Sequence, residues 1–148
     1  LSNVRTEERK PTKAEFLLQA RKLVKYSLII LASNKSFKSR PTGNEEDDRL
    51  NPPQPELVGK LRETVIDIYI SAYSANEVRF TKDNYRHRRQ LQDKSISKCN
   101  EMLALVEMSV PIFHIPYKRF GHWTGGIVYT RNLIQKWKES DYSRYRRM

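Results

Sequence analysis

The chain has 148 residues, a formal net charge of +11 and one cysteine, Cys99. That length fits a single domain over 1–148 with a modest core, and a lone cysteine excludes an intramolecular disulfide framework, so the reducing cytoplasm is the expected compartment. Leu1 to Lys10 lacks the apolar region of a signal peptide and no run reaches membrane-spanning length, so no membrane partner is expected and the sequon Asn34-Lys35-Ser36 is expected to stay unmodified.

The first helix is predicted over 13–32. Thr12-Lys13-Ala14-Glu15 after Pro11 forms a capping box, in which the Thr12 hydroxyl accepts from the Glu15 amide and the Glu15 carboxylate accepts from the Thr12 amide. Phe16, Leu17, Ala20, Leu23, Val24, Ser27, Leu28 and Leu31 then recur at threes and fours, the period of an amphipathic helix. Residues 33–55 hold Pro41, Gly43, Pro52, Pro53 and Pro55 beside the acids Glu45, Glu46, Asp47 and Asp48, a composition that predicts a long, mobile acidic loop.

A second helix is predicted over 56–78, with Pro55 or Glu56 in its first turn and an apolar stripe of Leu57, Leu61, Val65, Ile68, Tyr69, Ala72, Ala75 and Val78. The β-branched run around Val65 to Ile70 favours a strand locally, but the helical period over more than twenty residues outweighs it. A third helix over 84–110, capped by Asp83 or Asn84, carries Tyr85, Leu91, Ile96, Cys99, Met102, Leu103, Val106 and Val110 and is expected to end before Pro111. A fourth over 117–140 places Phe120, Trp123, Ile127, Thr130, Ile134 and Trp137 at alternating threes and fours, the 3.5-residue seam of bundle packing. Gly125 and Gly126 inside it cost about 1 kcal/mol each relative to alanine, for which close approach of a neighbouring helix is the expected reason and a kink the next. Beyond Ser140 the chain is expected to fray into a basic tail, 141–148.

These patterns predict an all-α fold, an antiparallel up-down-up-down four-helix bundle of left-handed twist, with Leu23, Leu61, Ile68, Leu103, Val106, Ile127 and Ile134 in its core. The aromatic residues Phe120, Trp123, Trp137, Tyr69 and Tyr73 exceed what so small a bundle encloses easily, which predicts self-association.

Catalytic signals are sparse. His87, His114 and His122 belong to no set of side chains at metal-ligand spacing, and no nucleophile-elbow, Walker-type or dinucleotide motif occurs, so neither metal nor cofactor nor enzymatic activity is expected. His114 and His122 flank a proline-containing turn and take surface or interface roles. Small helical RNases of the HEPN type carry an Arg followed after four to six residues by His, a spacing absent here: Arg79 to His87 is too long, Arg119 to His122 too short, and Arg86 abuts His87.

Charge is the more informative signal. Residues 1–40 carry ten Lys/Arg against three acids and residues 116–148 eight against two, so the ends of the chain supply a patch with the salt-sensitive attraction expected toward phosphate backbones. Lys10, Lys13, Arg21, Lys22 and Lys25 cover the first helix, and Arg86, Arg88 and Arg89, with Lys82 and Lys94 nearby, form a dense patch opening the third. In the tail, Tyr142 and Tyr145 interleave with Arg144, Arg146 and Arg147, which suits stacking on unpaired bases as well as phosphate contact.

The order of segments also carries a resemblance. Residues Ile68 to Asn76 (IYISAYSAN), Lys98 to Glu107 (KCNEMLALVE), and Trp123 with Arg131 to Asp141 (RNLIQKWKESD) resemble the accessory variability determinants of diversity-generating retroelements and their four-helix-bundle relatives encoded in ribosomal RNA intervening sequences. The likeness spans about Ala14 to Arg147 and rests on order and spacing rather than on one motif. It implies a ring-like homopentamer that binds a reverse transcriptase and its structured template RNA, or an RNA/cDNA hybrid, in support of mutagenic cDNA synthesis and retrohoming. The acidic insertion at 33–55 departs from the pattern and puts an interface at the first interhelical turn in doubt. An RNA-binding protein of the intervening-sequence class and a protein–protein adaptor without nucleic-acid function are the alternative readings.

Overall fold

The computed structural model describes residues 15–32, 45 and 54–148. The capping box at Thr12, Lys10 and Lys13, and all of the acidic loop except Glu45, Gln54 and Pro55 lie outside them. Four helices account for nearly all of the described chain: α1 (Glu15–Ala32), α2 (Pro55–Glu77), α3 (Tyr85–Phe113) and α4 (Tyr117–Arg146). They pack in ring order, α1 on α2, α2 on α3, α3 on α4, with α4 closing on α1.

Each pairing is antiparallel. Thr64 meets Glu101 while Ser95 reaches back to the Ile68 carbonyl across α2 and α3. Arg131 meets Asn100 and Lys138 meets Asp93 across α3 and α4. Trp123 donates to Ser27 while Phe16 stacks on Trp137 across α4 and α1.

A 3.5-residue seam runs along the bundle and explains the packing. On α3 it comprises Tyr85, Arg88, Gln92, Ser95, Cys99, Met102, Val106 and Ser109, and on α2 Val58, Leu61, Val65, Ile68, Ala72 and Ala75. Leu23, Leu61, Ile68, Val106, Ile127 and Ile134 are buried as expected. Leu103 is only half-buried, because it stands one position off the Cys99, Met102, Val106 seam and packs against the core from its edge. Ile30 is buried too, a position omitted from the predicted stripe of the first helix.

Helix ends depart from expectation at two points. Pro111 does not end α3, which continues to Phe113; within a turn of the terminus the missing backbone hydrogen bond and the crowded carbonyl disturb little helix. The helix closes at His114, which adopts the left-handed conformation at φ 54°. Nor does α4 fray past Ser140. It runs to Arg146 because its seam continues through Trp137 to Asp141, whose carboxylate is buried against α3.

The aromatic surplus is largely enclosed. Trp123 is fully buried, Trp137 lies face to face with Phe16 at 3.8 Å, and Phe120 and Tyr69 pack against the core. Tyr73 alone of that set is exposed, beside Ile66 and Ile70 on the outer face of α2.

Candidate nucleic-acid interface

The arginines of the α3 patch have different fates. Arg88 is buried: its Nε donates to Asp141 Oδ2 at 2.6 Å, its Nη2 to Oδ1 at 3.3 Å and its Nη1 to the Val78 carbonyl at 3.0 Å. Its guanidinium also lies over the rings of Trp137 and Phe80. Predicted as a phosphate ligand, it is instead an internal clamp, since three of its five N–H donors are spent on a carboxylate and a carbonyl and the group is buried beneath aromatic rings. Arg89 donates to the Tyr85 hydroxyl and covers the Tyr142 ring. Arg86 and Lys94 are exposed.

The Arg/Tyr tail is also engaged internally. Tyr145 stacks on Tyr85 with centroids 4.0 Å apart and planes 9° from parallel, so it is not an open platform for bases. Arg144 covers Phe80 at 3.8 Å and sits 3.8 Å from Asp141, and Arg146 covers the Tyr142 ring. Arg147 is exposed at the helix end. Tyr145 thus ties the end of α4 to the start of α3 and Arg144 ties it to Phe80, while Tyr142, Arg144, Arg146 and Arg147 remain exposed.

The positive face lies elsewhere. No Asp or Glu occurs from Phe16 to Ala32 or from Tyr117 to Lys138, the spans that α1 and α4 lay side by side. Arg21, Lys22, Lys25 and Lys118 are exposed there, and none of these four forms an ion pair with another described residue. The opposite face is balanced: Glu56, Glu63, Asp67, Glu77, Asp83, Asp93, Glu101 and Glu107 alternate with its cations, and Lys98 bonds Glu101 and approaches Asp67. There Lys98 and Lys60, against an opposing effect of burial, hold the Glu101 carboxyl below its ordinary range.

Aromatic residues punctuate the positive face. Tyr26 of α1 meets His122 of α4 edge to face at 4.9 Å, and two hollows open on either side of this pair. One, of about 440 Å³, is floored by Gly121, Gly125 and Gly126 and flanked by Lys22 and Tyr129; the other, of about 460 Å³, is lined by Pro116, Lys118 and Arg119. Tyr129 donates to the Glu15 carboxylate at 2.8 Å, which raises the pKa of its phenol. Of these residues only Arg21, Lys22, Lys25 and the surface histidine are legible from charge and motif. Tyr26, Lys118 and Tyr129 escape that reading, although the two acid-free helical spans are a signal for them.

The glycines are not explained by the expected close approach. Among the described residues, a Cβ at Gly125 or Gly121 would meet nothing within 4 Å, and one at Gly126 would rest 3.6 Å from Leu23 Cδ1, an ordinary contact. Close helix approach therefore does not require them.

Among the described residues no group of three or more His, Cys, Asp and Glu is placed to hold a metal ion, and no helix is long and apolar enough to cross a membrane. No protein-family model, curated protein or solved structure matches the chain.

Proposed function

We propose that this protein is a non-catalytic RNA-binding bundle that serves a reverse transcriptase as the accessory subunit its segment order resembles, holding template RNA or an RNA/cDNA hybrid during mutagenic cDNA synthesis. The observation that carries the RNA-binding part is the acid-free cationic face of α1 and α4, opposite a face whose charges are balanced. Such segregation concentrates a polyanion on one side and gives affinity through counterion release. Arg21, Lys22, Lys25 and Lys118 are the principal phosphate ligands, and Arg86, Lys94 and Arg147 are outlying ones. Self-association, into the pentamer that the resemblance implies, uses the outer face of α2, where Ile66, Ile70 and Tyr73 recur at helical spacing in solvent.

Charge reversal at Lys22 and Lys118 tests the RNA reading. The double variant is expected to bind RNA of every sequence more weakly, and the slope of log affinity against log salt to flatten by about 0.7–0.9 for each phosphate ligand removed. Negligible RNA affinity of the native chain at moderate salt would replace this reading with the adaptor. A neighbouring reverse-transcriptase gene with a template and variable repeat pair, and retention of that enzyme on the immobilised protein, test the partner and separate it from the intervening-sequence class.

A further inference from the structure

The two hollows, divided by Tyr26 and His122, lie along the groove between α1 and α4, and the chemistry of that groove is specific. Its walls include the rings of Tyr26, His122 and Tyr129, its rim carries Lys22 and Lys118, and the only carboxylate of α1, Glu15, is engaged by Tyr129 at one end. Each hollow falls within the volume of about 300–1,000 Å³ typical of small-ligand pockets. A groove with planar rings inside and cations at the rim matches a nucleobase joined to phosphates, because every base has a face to stack and every linkage an anion to neutralise.

The floor supplies a second argument. Glycines in a helix interior weaken it, and among the described residues no neighbour requires Gly121 or Gly125. A side chain at either position would project into open space, and at Gly125 it would intrude on the hollow beside Tyr26 and His122. The cost of these glycines is explained if something outside the bundle lies flat against the backbone of α4.

We propose that the hollow over Gly125 seats an unpaired base of single-stranded RNA, packed against the T-shaped Tyr26–His122 pair, with its flanking phosphates on Lys22 and Lys118. The inference rests on the RNA-binding reading above and adds to it a preference for unpaired over duplex RNA. Duplex bases are stacked and paired already, so a helix of RNA meets only the cations.

Gly125→Leu is the decisive variant. It replaces a poor helix former by a good one in open space, so its thermal midpoint is expected to equal or exceed that of the native chain. Its affinity for a 12-nucleotide oligo(U) is expected to fall about 5- to 150-fold, the range for removal of one stacked base, while its affinity for the same strand annealed to oligo(A) stays within about twofold. His122→Ala, an exposed position, is expected to show the same split. Ultraviolet crosslinking of a 5-iodouridine-substituted strand to the native protein is expected to map to Tyr26, His122 or Tyr129. Native binding of oligo(U) that Gly125→Leu and His122→Ala leave intact, with crosslinks on other helices, would overturn the groove and leave the basic face standing. Absence of salt-dependent binding to either RNA by the native chain would overturn both.

Discussion

Arg88 and Asp141 meet as a buried fork, Nε to Oδ2 and Nη2 to Oδ1, with Gln92 Nε2 a third donor at 2.9 Å to the same carboxylate. The pair joins the first turns of α3 to the last turns of α4, and through the Val78 carbonyl it also holds the end of α2. An ion pair in this setting contributes less than its geometry suggests while intact, because desolvation offsets attraction, but removing one partner strands the other charge. Asp141→Ala is therefore expected to lower the unfolding free energy by about 3–5 kcal/mol in chemical denaturation. Replacing Arg88, Gln92 and Asp141 together by Met, Leu and Leu is expected to recover most of that loss, and a triple variant as unstable as Asp141→Ala would show that the fork contributes more than the uncompensated charge does.

That fork also marks where the sequence is legible and where it is not. The seam of α4 is visible as far as Trp137 because its members are apolar, and the burial of Ile127 and Ile134 follows from spacing alone. The same seam goes on to Asp141, and that of α3 begins with Tyr85, Arg88, Gln92 and Ser95, where an apolar period gives no signal. Burial of a polar residue depends on whether its partner arrives from another helix, and Arg88 and Asp141 are 53 residues apart. The two departures are linked: Arg88, expected at the surface, holds Asp141, and Asp141 carries the seam of α4 past Ser140. The positive face is legible as a charge excess near the two ends of the chain, but its location on α1 and α4 rather than α1 and α3 requires knowing which helices are neighbours.

The end of α3 is a site for improvement. His114 closes it at φ 54°, a conformation that costs an L-residue about 1–2 kcal/mol and glycine almost nothing, although histidine tolerates it better than most side chains. Its side chain is exposed, so His114→Gly sacrifices little packing. The substitution is expected to raise stability by roughly 0.5–1 kcal/mol, the glycine's extra freedom in the unfolded chain limiting the gain. An unchanged or lower thermal midpoint would mean that the imidazole makes a contribution that offsets the backbone cost.

Cys99 provides a reporter of opening. Burial pushes its thiol up to about 12, with Arg131 opposing weakly, so the thiolate is disfavoured in the folded chain. A folded value above the unfolded 9.0 means that the contribution is complete below pH 9 and is lost as pH rises from there toward 12, by at most about 1.4 kcal/mol per pH unit. Native protein at pH 8 is expected to resist thiol reagents and to react at a rate set by unfolding. The difference in alkaline stability between native protein and Cys99→Ala isolates this group from the tyrosines and lysines that titrate in the same range; identical profiles would remove the assignment.

The α3 arginines, finally, separate stability from binding within three residues. Arg86 is exposed on the first turn of α3, whereas Arg88, half a helical turn on, is enclosed by Asp141, Phe80 and Trp137. Arg86→Ala is expected to leave the thermal midpoint unchanged and to alter the salt slope of RNA binding by no more than the 0.7–0.9 of about one phosphate ligand. Arg88→Ala is expected to destabilise the bundle by about 3–5 kcal/mol, since Asp141 is then buried with only Gln92 and the more distant Arg144 to compensate it. Measured well below its own midpoint, Arg88→Ala is expected to keep the native salt slope, because a guanidinium that never reached solvent released no counterion from RNA. A triple replacement of Arg86, Arg88 and Arg89 would mix the two effects, and a fall in its RNA affinity would report unfolding as readily as weaker phosphate binding. Salt titrations of the single variants, with the folded fraction verified at each point, distinguish them: a flattened slope for folded Arg88→Ala would place that side chain on the RNA after all.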